Sequence, residues 1–199
     1  MFKLCLLLSR DLCALPVADV LHQALAGGVD LVQLREKEMT PREFYDYAAP
    51  LIEICKSKNA KVLINDSVEL AMALDADGVH LGQDDMPIML ARKLLGPDKL
   101  IGLSTHSIEQ AEDATCSGAD YIGFGPVYPT PTKGYLQGLG PEKLLLVRSG
   151  CELPILAIGG ITPENVIMIP RFAGIAVSST VCAADNPQNI CQLLRESRV

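Results

Sequence analysis

One phrase recurs along this chain and limits what it can fold into. Gly28-Val29-Asp30-Leu31-Val32-Gln33-Leu34-Arg35 is its first copy, and Ala76-Asp77-Gly78-Val79-His80-Leu81-Gly82-Gln83 is its second. Gly118-Ala119-Asp120-Tyr121-Ile122-Gly123-Phe124-Gly125 is the third, and Phe172-Ala173-Gly174-Ile175-Ala176-Val177-Ser178-Ser179 is a looser fourth. Each runs from a small turn into a short apolar stretch and out into polar or glycine residues. Between the copies lie further apolar runs: Lys61-Val62-Leu63-Ile64-Asn65-Asp66, Leu100-Ile101-Gly102-Leu103-Ser104 and Pro154-Ile155-Leu156-Ala157-Ile158-Gly159-Gly160. With the apolar start of the chain, Leu4-Cys5-Leu6-Leu7-Leu8, they make eight short strands. Near-continuous apolar runs mark strands buried on both faces, as in parallel sheets.

Segments of helical period separate these runs. Residues 17–26 carry Val17, Val20, Leu21, Ala24 and Leu25 on one stripe. Residues 41–58 follow Thr40, an N-cap with Pro41 at the first helical position and Glu43 at the capping-box position. Helices are also expected over 67–74, 87–95, 107–116, 141–149, 163–169 and 187–197, with Ser107 as an N-cap. Thr162-Pro163 and Asn186-Pro187 read as cap plus first-turn proline. Strand–helix alternation, eight times over, predicts an α/β chain folded as a single (β/α)8 (TIM) barrel over 1–199. Dividing 199 residues among eight units leaves about 25 for each, at the short end of what this fold uses. Connections must therefore be short. The exception is 125–140, which holds Pro126, Pro129, Pro131, Gly134, Gly138 and Gly140 and no period of either kind. A long irregular loop after the sixth strand, in so economical a chain, is a candidate active-site lid.

Composition excludes several classes. Hydrophobic residues at 49% rule out a disordered chain. A net charge of −7 with no Trp speaks against nucleic acid as partner. No apolar run reaches the ~18 residues of a membrane span, and the start of the chain lacks the cleavage site of a signal peptide. The seven cysteines are scattered and never form a C-x-x-C pair, which disfavours a disulfide framework and a zinc site. They read as buried thiols in a reducing compartment, so the expected location is cytoplasmic. The sequence is compatible with a homo-oligomer and does not decide it.

A barrel of this kind builds its site at the carboxyl ends of its strands. There the chain places Gln33, Arg35 and Lys37, then Asn65 and Asp66, then Gln83, Asp84 and Asp85, then Ser104 and His106. Thr130, Thr132 and Lys133 follow in the long loop, then Gly159 and Gly160, then Ser178 and Ser179. Three cations, Arg35, Lys37 and Lys133, gathered at one mouth of an acidic protein suit a polyanion. Asp66 and Asp85 end adjacent strands and offer hard oxygen ligands suited to Mg²⁺ beside phosphates. Asp66 could equally serve as a helix cap ahead of Ser67. Gly159-Gly160 and Ser178-Ser179 suit a second anion, a monophosphate held by loop backbone groups. Two anions and a metal at one mouth suggest a transfer in which diphosphate leaves.

The same residues resemble the thiamine-phosphate synthase family. The matches are Val32-Gln33-Leu34-Arg35-Glu36-Lys37, Ile64-Asn65-Asp66, Gly78-Val79-His80-Leu81-Gly82-Gln83-Asp84-Asp85 and Gly102-Leu103-Ser104-Thr105-His106. Gly125-Pro126-Val127-Tyr128-Pro129-Thr130-Pro131-Thr132-Lys133, Ala157-Ile158-Gly159-Gly160-Ile161 and Val177-Ser178-Ser179 follow in family order. The resemblance implies an enzyme that joins 4-amino-2-methyl-5-hydroxymethylpyrimidine diphosphate to a thiazole monophosphate, giving thiamin phosphate and diphosphate. It implies Mg²⁺ on Asp66 and Asp85. It implies the pyrimidine diphosphate on Gln33, Leu34, Arg35, Glu36, Lys37, Asn65, Ser104 and Lys133. It implies the thiazole phosphate on Thr130, Pro131, Thr132, Gly160, Ser178 and Ser179. Arg35, Lys37, Lys133 and Ser104 would carry catalysis. Ser178 departs from the aliphatic residue the family usually has there. A sister activity, tautomerisation of the thiazole phosphate with His106 as proton carrier, is the alternative, and a non-catalytic binder of thiamin intermediates is a third reading. His80, inside the fourth strand, reads as structural.

Overall fold

The computed structural model describes residues 2–130 and 136–197. Eight strands run β1 Leu4–Leu8, β2 Leu31–Leu34, β3 Lys61–Asn65, β4 Gly78–Leu81, β5 Leu100–Thr105, β6 Tyr121–Phe124, β7 Ile155–Ile158 and β8 Gly174–Val177. Each pairs in parallel with the next, and β8 closes on β1 through Leu4, Cys5 and Leu6 opposite Ile175, Ala176 and Val177. The chain is thus the (β/α)8 barrel that the alternation predicts.

Strand faces divide two cores. Outward side chains such as Leu6, Val32, Leu34, Val62, Ile64, Val79, Leu81, Ile101 and Ile122 pack under the helices. Inward, Cys5, Leu31, Leu63, Tyr121, Leu156 and Ala176 fill the barrel. Because both faces are covered, the strands read as continuous apolar runs rather than alternating ones.

The helices are α1 Val17–Ala26, α2 Pro41–Ser57, α3 Val68–Ala73, α4 Ile88–Leu95, α5 Ile108–Ser117, α6 Lys143–Gly150, α7 Ser179–Cys182 and α8 Pro187–Glu196. The Thr40 box forms as expected: Glu43 N donates to Thr40 Oγ1 at 3.4 Å, and Thr40 N donates to Glu43 Oε2 at 2.8 Å. Ser107 and Asn186 cap α5 and α8 through Gln110 N and Asn189 N. The helix expected over 163–169 does not form. Only a 3-10 turn, Val166–Met168, stands there. Asn165 explains its start, accepting from Thr162 N and donating to Gly160 O, which holds the segment as a turn. Pro170 explains its end, since the residue before a proline is pushed out of the helical region, and Ile169 is extended at ψ 124. Conversely, α7 has four residues, too few to show a period in sequence. The seven cysteines are free thiols, five of them buried. Among the described residues, no helix is long and apolar enough to cross a membrane.

The recurrent aspartate has a structural task. Asp30, Asp77 and Asp120 each stand just before an even-numbered strand and grip one residue of the strand before it. Asp30 N donates to Leu4 O at 3.1 Å while its carboxylate accepts from Leu4 N at 3.1 Å and Lys3 N at 2.8 Å. Asp77 does the same to Val62, at 2.9 and 2.8 Å. Asp120 does the same to Ile101, at 2.8 and 2.7 Å. The looser fourth copy has Ala173 at this place. A hydrogen bond to a carboxylate contributes about 1.5–3 kcal/mol. Asp30→Ala, which strips two backbone N–H groups of their acceptor, should therefore lower unfolding stability by about 2–4 kcal/mol. Asp30→Asn, which keeps one oxygen, should lose less. An unchanged denaturant midpoint at constant m-value in Asp30→Ala would refute the grip.

Candidate active site

The barrel's inward side chains change character from its amino to its carboxyl end. Below they are the apolar set just given. One layer up, the inward positions of β2 to β5 carry Gln33, Asn65, His80 and Ser104. A buried polar atom must find a partner, and these do. Gln33 Nε2 donates to Asn65 Oδ1 at 2.6 Å. His80 is held on both ring nitrogens, by Tyr121 Oη at 2.7 Å and by Ser104 Oγ at 2.9 Å. Burial pushes the Tyr121 phenol well above its usual range, so it stays protonated. This layer floors a cleft of about 420 Å³ whose wall includes Arg35.

The floor opens into a wider cleft of about 770 Å³ at the carboxyl mouth. Arg35, Ser104, His106, Thr130, Gly160, Ser178 and Ser179 line it, together with the apolar side chains of Leu7 and Ile158. Arg35 is its one Lys or Arg among the described residues. His106 Nδ1 donates to Gly125 O at 2.6 Å. The Gly159–Gly160 turn is locked beneath the start of the long loop. Val127 N donates to Ile158 O at 2.8 Å, Tyr128 N donates to Gly159 O at 3.0 Å, and the Tyr128 hydroxyl donates to Asn165 O. Gly160 has φ +61, and a Cβ there would stand 2.4 Å from Pro129 O. Only glycine lets these two backbones meet.

The site residues expected from sequence are not all treated alike. Gln33, Arg35, Asn65, Ser104, Thr130, Gly160, Ser178 and Ser179 come together along the two connected clefts. Leu34 is fully buried on the opposite face of β2, under the helices, so its side chain faces away from the cleft. Glu36 accepts from Arg10 N at 2.5 Å. Lys37 is exposed and outside both cleft linings. Asp66 and Asp85 follow the ends of β3 and β4. Ser67, not Asp66, is the N-cap residue of α3, accepting from Leu70 N at 3.2 Å. Asp85 Oδ2 accepts from Gly82 N at 2.6 Å. Ser178 turns its hydroxyl inward, donating to Leu7 O at 2.8 Å. Pro131, Thr132 and Lys133 lie outside the described residues.

Sequence reasoning took His80 as structural and gave Tyr121 no part; the structure sets both in the lining of the inner cleft. One signal was available: with Val79 and Leu81 facing outward, strand alternation alone turns His80 into the barrel. Arg35 supplies a planar fork at the cleft wall, suited to phosphate oxygens. Arg35→Ala should weaken binding of inorganic diphosphate about tenfold or more in a calorimetric titration, the size of one lost charged contact. An unchanged affinity would take Arg35 out of the anion site.

A family model described as "Thiamine monophosphate synthase" matches residues 4–181. A thiamine-phosphate synthase from Chlorobium luteolum is 44% identical over 195 residues, covering 96% of this chain and 90% of that protein. One from Clostridium acetobutylicum is 45% identical, covering 82% of this chain and 79% of that protein. The solved thiamine phosphate pyrophosphorylase of Pyrococcus furiosus superposes with a TM-score of 0.89 at 35% identity, covering 98% and 95% of the two chains. A phosphoribosylanthranilate isomerase of Thermotoga maritima superposes at 0.67 with 16% identity, covering 100% and 98%, a likeness of fold alone.

Proposed function

We propose, from the premise that this chain belongs to the thiamine monophosphate synthase family, that its two connected clefts hold both partners of the family's condensation at once. A pyrimidine diphosphate and a thiazole monophosphate combine to thiamin phosphate, and diphosphate leaves. The observation that carries the two-partner reading is the cleft itself. One wall offers Arg35 and the amide and hydroxyl groups of Gln33, Asn65 and Ser104. The loops and ends of β6 to β8 offer Thr130, Gly160, Ser178 and Ser179 to the same connected clefts, with Leu7 and Ile158 as apolar lining.

In this reading Gln33, Asn65 and Ser104 orient the aminopyrimidine on the polar floor. Arg35 holds the diphosphate, and the family resemblance adds Lys37 and Lys133 as further cations for it. Gly160 and Ser179, with Thr130, take the thiazole phosphate. Because the Ser178 hydroxyl is engaged with Leu7 O, Ser178 contributes backbone only. The bond from the pyrimidine methylene to the diphosphate oxygen breaks, and its electron pair leaves with the diphosphate. The ring's amino group shares the positive charge left on the methylene carbon. The thiazole nitrogen then gives its lone pair to that carbon, forming the new C–N bond. The chain needs no nucleophile of its own. Its task is to stabilise the leaving charge, align the two rings and keep water from the cation.

The donor set suits Mg²⁺. Asp66 follows β3 directly, and Asp85 lies in the turn after the neighbouring strand β4, where one of its oxygens accepts from Gly82 N and the other is left to ligate. Mg²⁺ commonly takes one or two carboxylates and fills its octahedron with substrate phosphates and water. When bound it would supply charge neutralisation for the departing diphosphate. Seven free thiols, five of them buried, suit a reducing compartment, and on that ground we place the enzyme in the cytoplasm.

Incubating the protein with both precursors and Mg²⁺ should yield thiamin phosphate, detected by fluorescence after oxidation. A folded protein that gives none would sink the reading. Thiazole tautomerisation followed in the same mixture tests the alternative that rests on His106, and binding without turnover would point to the non-catalytic one. Asp85→Asn keeps an oxygen for Gly82 N, so the fold should be retained. Its Mg²⁺ requirement should nevertheless rise and its kcat fall about tenfold or more. A Mg²⁺ titration of the rate that matches the wild type would remove Asp85 from the metal site.

A further inference from the structure

Three neighbouring strands each send one inward side chain into a single hydrogen-bonded row. Tyr121 Oη lies 2.7 Å from His80 Nδ1, and His80 Nε2 lies 2.9 Å from Ser104 Oγ. Tyr121 is 3% exposed and His80 8%, both in the lining of the inner cleft alone, whereas Ser104 reaches the walls of both clefts. The row therefore runs from the nearly buried floor of the inner cleft to the side chain that both clefts share. It exists because position 102 has no side chain: a Cβ on Gly102 would stand 2.4 Å from Tyr121 Oη and 2.5 Å from His80 Nδ1.

The protons in this row are ordered by elementary bookkeeping. The phenol is protonated, and a buried O–H left without an acceptor is costly. Among the described residues, His80 Nδ1 is its hydrogen-bond partner, so the phenol donates there. A neutral imidazole that accepts on Nδ1 carries its proton on Nε2. That N–H points at Ser104 Oγ and donates to it. A hydroxyl that accepts along this line turns its own O–H elsewhere, and the open direction is the cleft. In the reverse arrangement Ser104 donates to Nε2 and Nδ1–H donates to the phenol. That would leave the phenolic proton unpaired and spend the Ser104 proton inside the wall.

We propose that Tyr121 is a positioning residue which, through His80, holds Ser104 as a hydrogen-bond donor toward the substrate in the inner cleft. The proposal rests on the functional reading above, in which that substrate is the pyrimidine diphosphate. A donor preset by the wall needs no reorganisation when an acceptor atom of the substrate arrives, which is the condition under which such groups help catalysis most. The role belongs to the row rather than to either end of it. Ser104 with a free rotor could donate to water or back to the histidine.

The test begins with the wild-type protein. It has three histidines, so their ring nitrogens can be resolved by ¹⁵N NMR, and His80 should be the Nε2–H tautomer. Finding Nδ1–H would overturn the proposal without any variant. Tyr121→Phe removes the hydroxyl alone. It should let His80 populate both tautomers and lower kcat for thiamin phosphate formation about tenfold, with KM for the thiazole phosphate held within twofold. The same change made in a Ser104→Ala background should cost less than twofold, because the residue it acts through is gone. An equal loss in both backgrounds would assign Tyr121 to packing and overturn the proposal, as would a Tyr121→Phe enzyme of unchanged kcat and tautomer. Wild-type turnover separates this from the broader reading. With no thiamin phosphate from the wild type, the functional reading fails; with wild-type product formed, the variants decide the row.

Discussion

The barrel depends on the grip of three aspartates at its amino end. A parallel strand leaves backbone donors and acceptors at its start, and inside a protein each must be paired. Asp30, Asp77 and Asp120 satisfy both groups of one residue on the preceding strand, through their own N–H and their carboxylate. Each grip joins an odd-numbered strand to the even-numbered one after it, in the pairs β1–β2, β3–β4 and β5–β6. Lys61 and Arg92 pair with two of these carboxylates, at 2.6 Å in both cases. The repeated phrase is therefore the trace of a repeated hydrogen-bonding need.

Holding the barrel at one end leaves the other end free to carry chemistry. The inward side chains pass from Leu31, Leu63 and Leu156 below to Gln33, Asn65, His80 and Ser104 above, over a single step of strand alternation. The apolar layer excludes water from beneath the polar one, which strengthens the electrostatic interactions of the polar groups. The polar groups in turn bind each other first, Gln33 to Asn65 and His80 to Tyr121 and Ser104, so the floor is ordered before a ligand arrives. Elsewhere in the lining, the Gly159–Gly160 turn is ordered by backbone contacts to Val127 and Tyr128. These parts of the cleft are thus preset by contacts that involve no substrate.

Much of this was legible in the chain. The eight apolar runs marked the eight strands, and Thr40, Ser107 and Asn186 marked helix starts, because strands buried on both faces and N-caps are local properties. The errors were also local in origin. Residues 163–169 had a cap-like Thr-Pro and some apolar residues, yet Asn165 and Pro170 confine them to a 3-10 turn. α7 was too short to be seen. In the site, strand-end counting found Gln33, Arg35, Asn65, Ser104 and Gly160, since every strand end of a barrel faces one mouth. The family resemblance also included Leu34, which alternation turns the other way.

By itself the sequence determined the barrel, its closure into eight short units and the residues available at its mouth, because these follow from periodicity, caps and turns along one chain. Only the tertiary structure decided which side chains meet. That His80 joins Tyr121 to Ser104, that Ser178 spends its hydroxyl on Leu7 and that Ser67 rather than Asp66 caps its helix are facts of distance between residues from different elements, or of backbone dihedrals. A hydrogen bond requires about 3 Å and a fitting direction, and no pattern along a single strand carries that information.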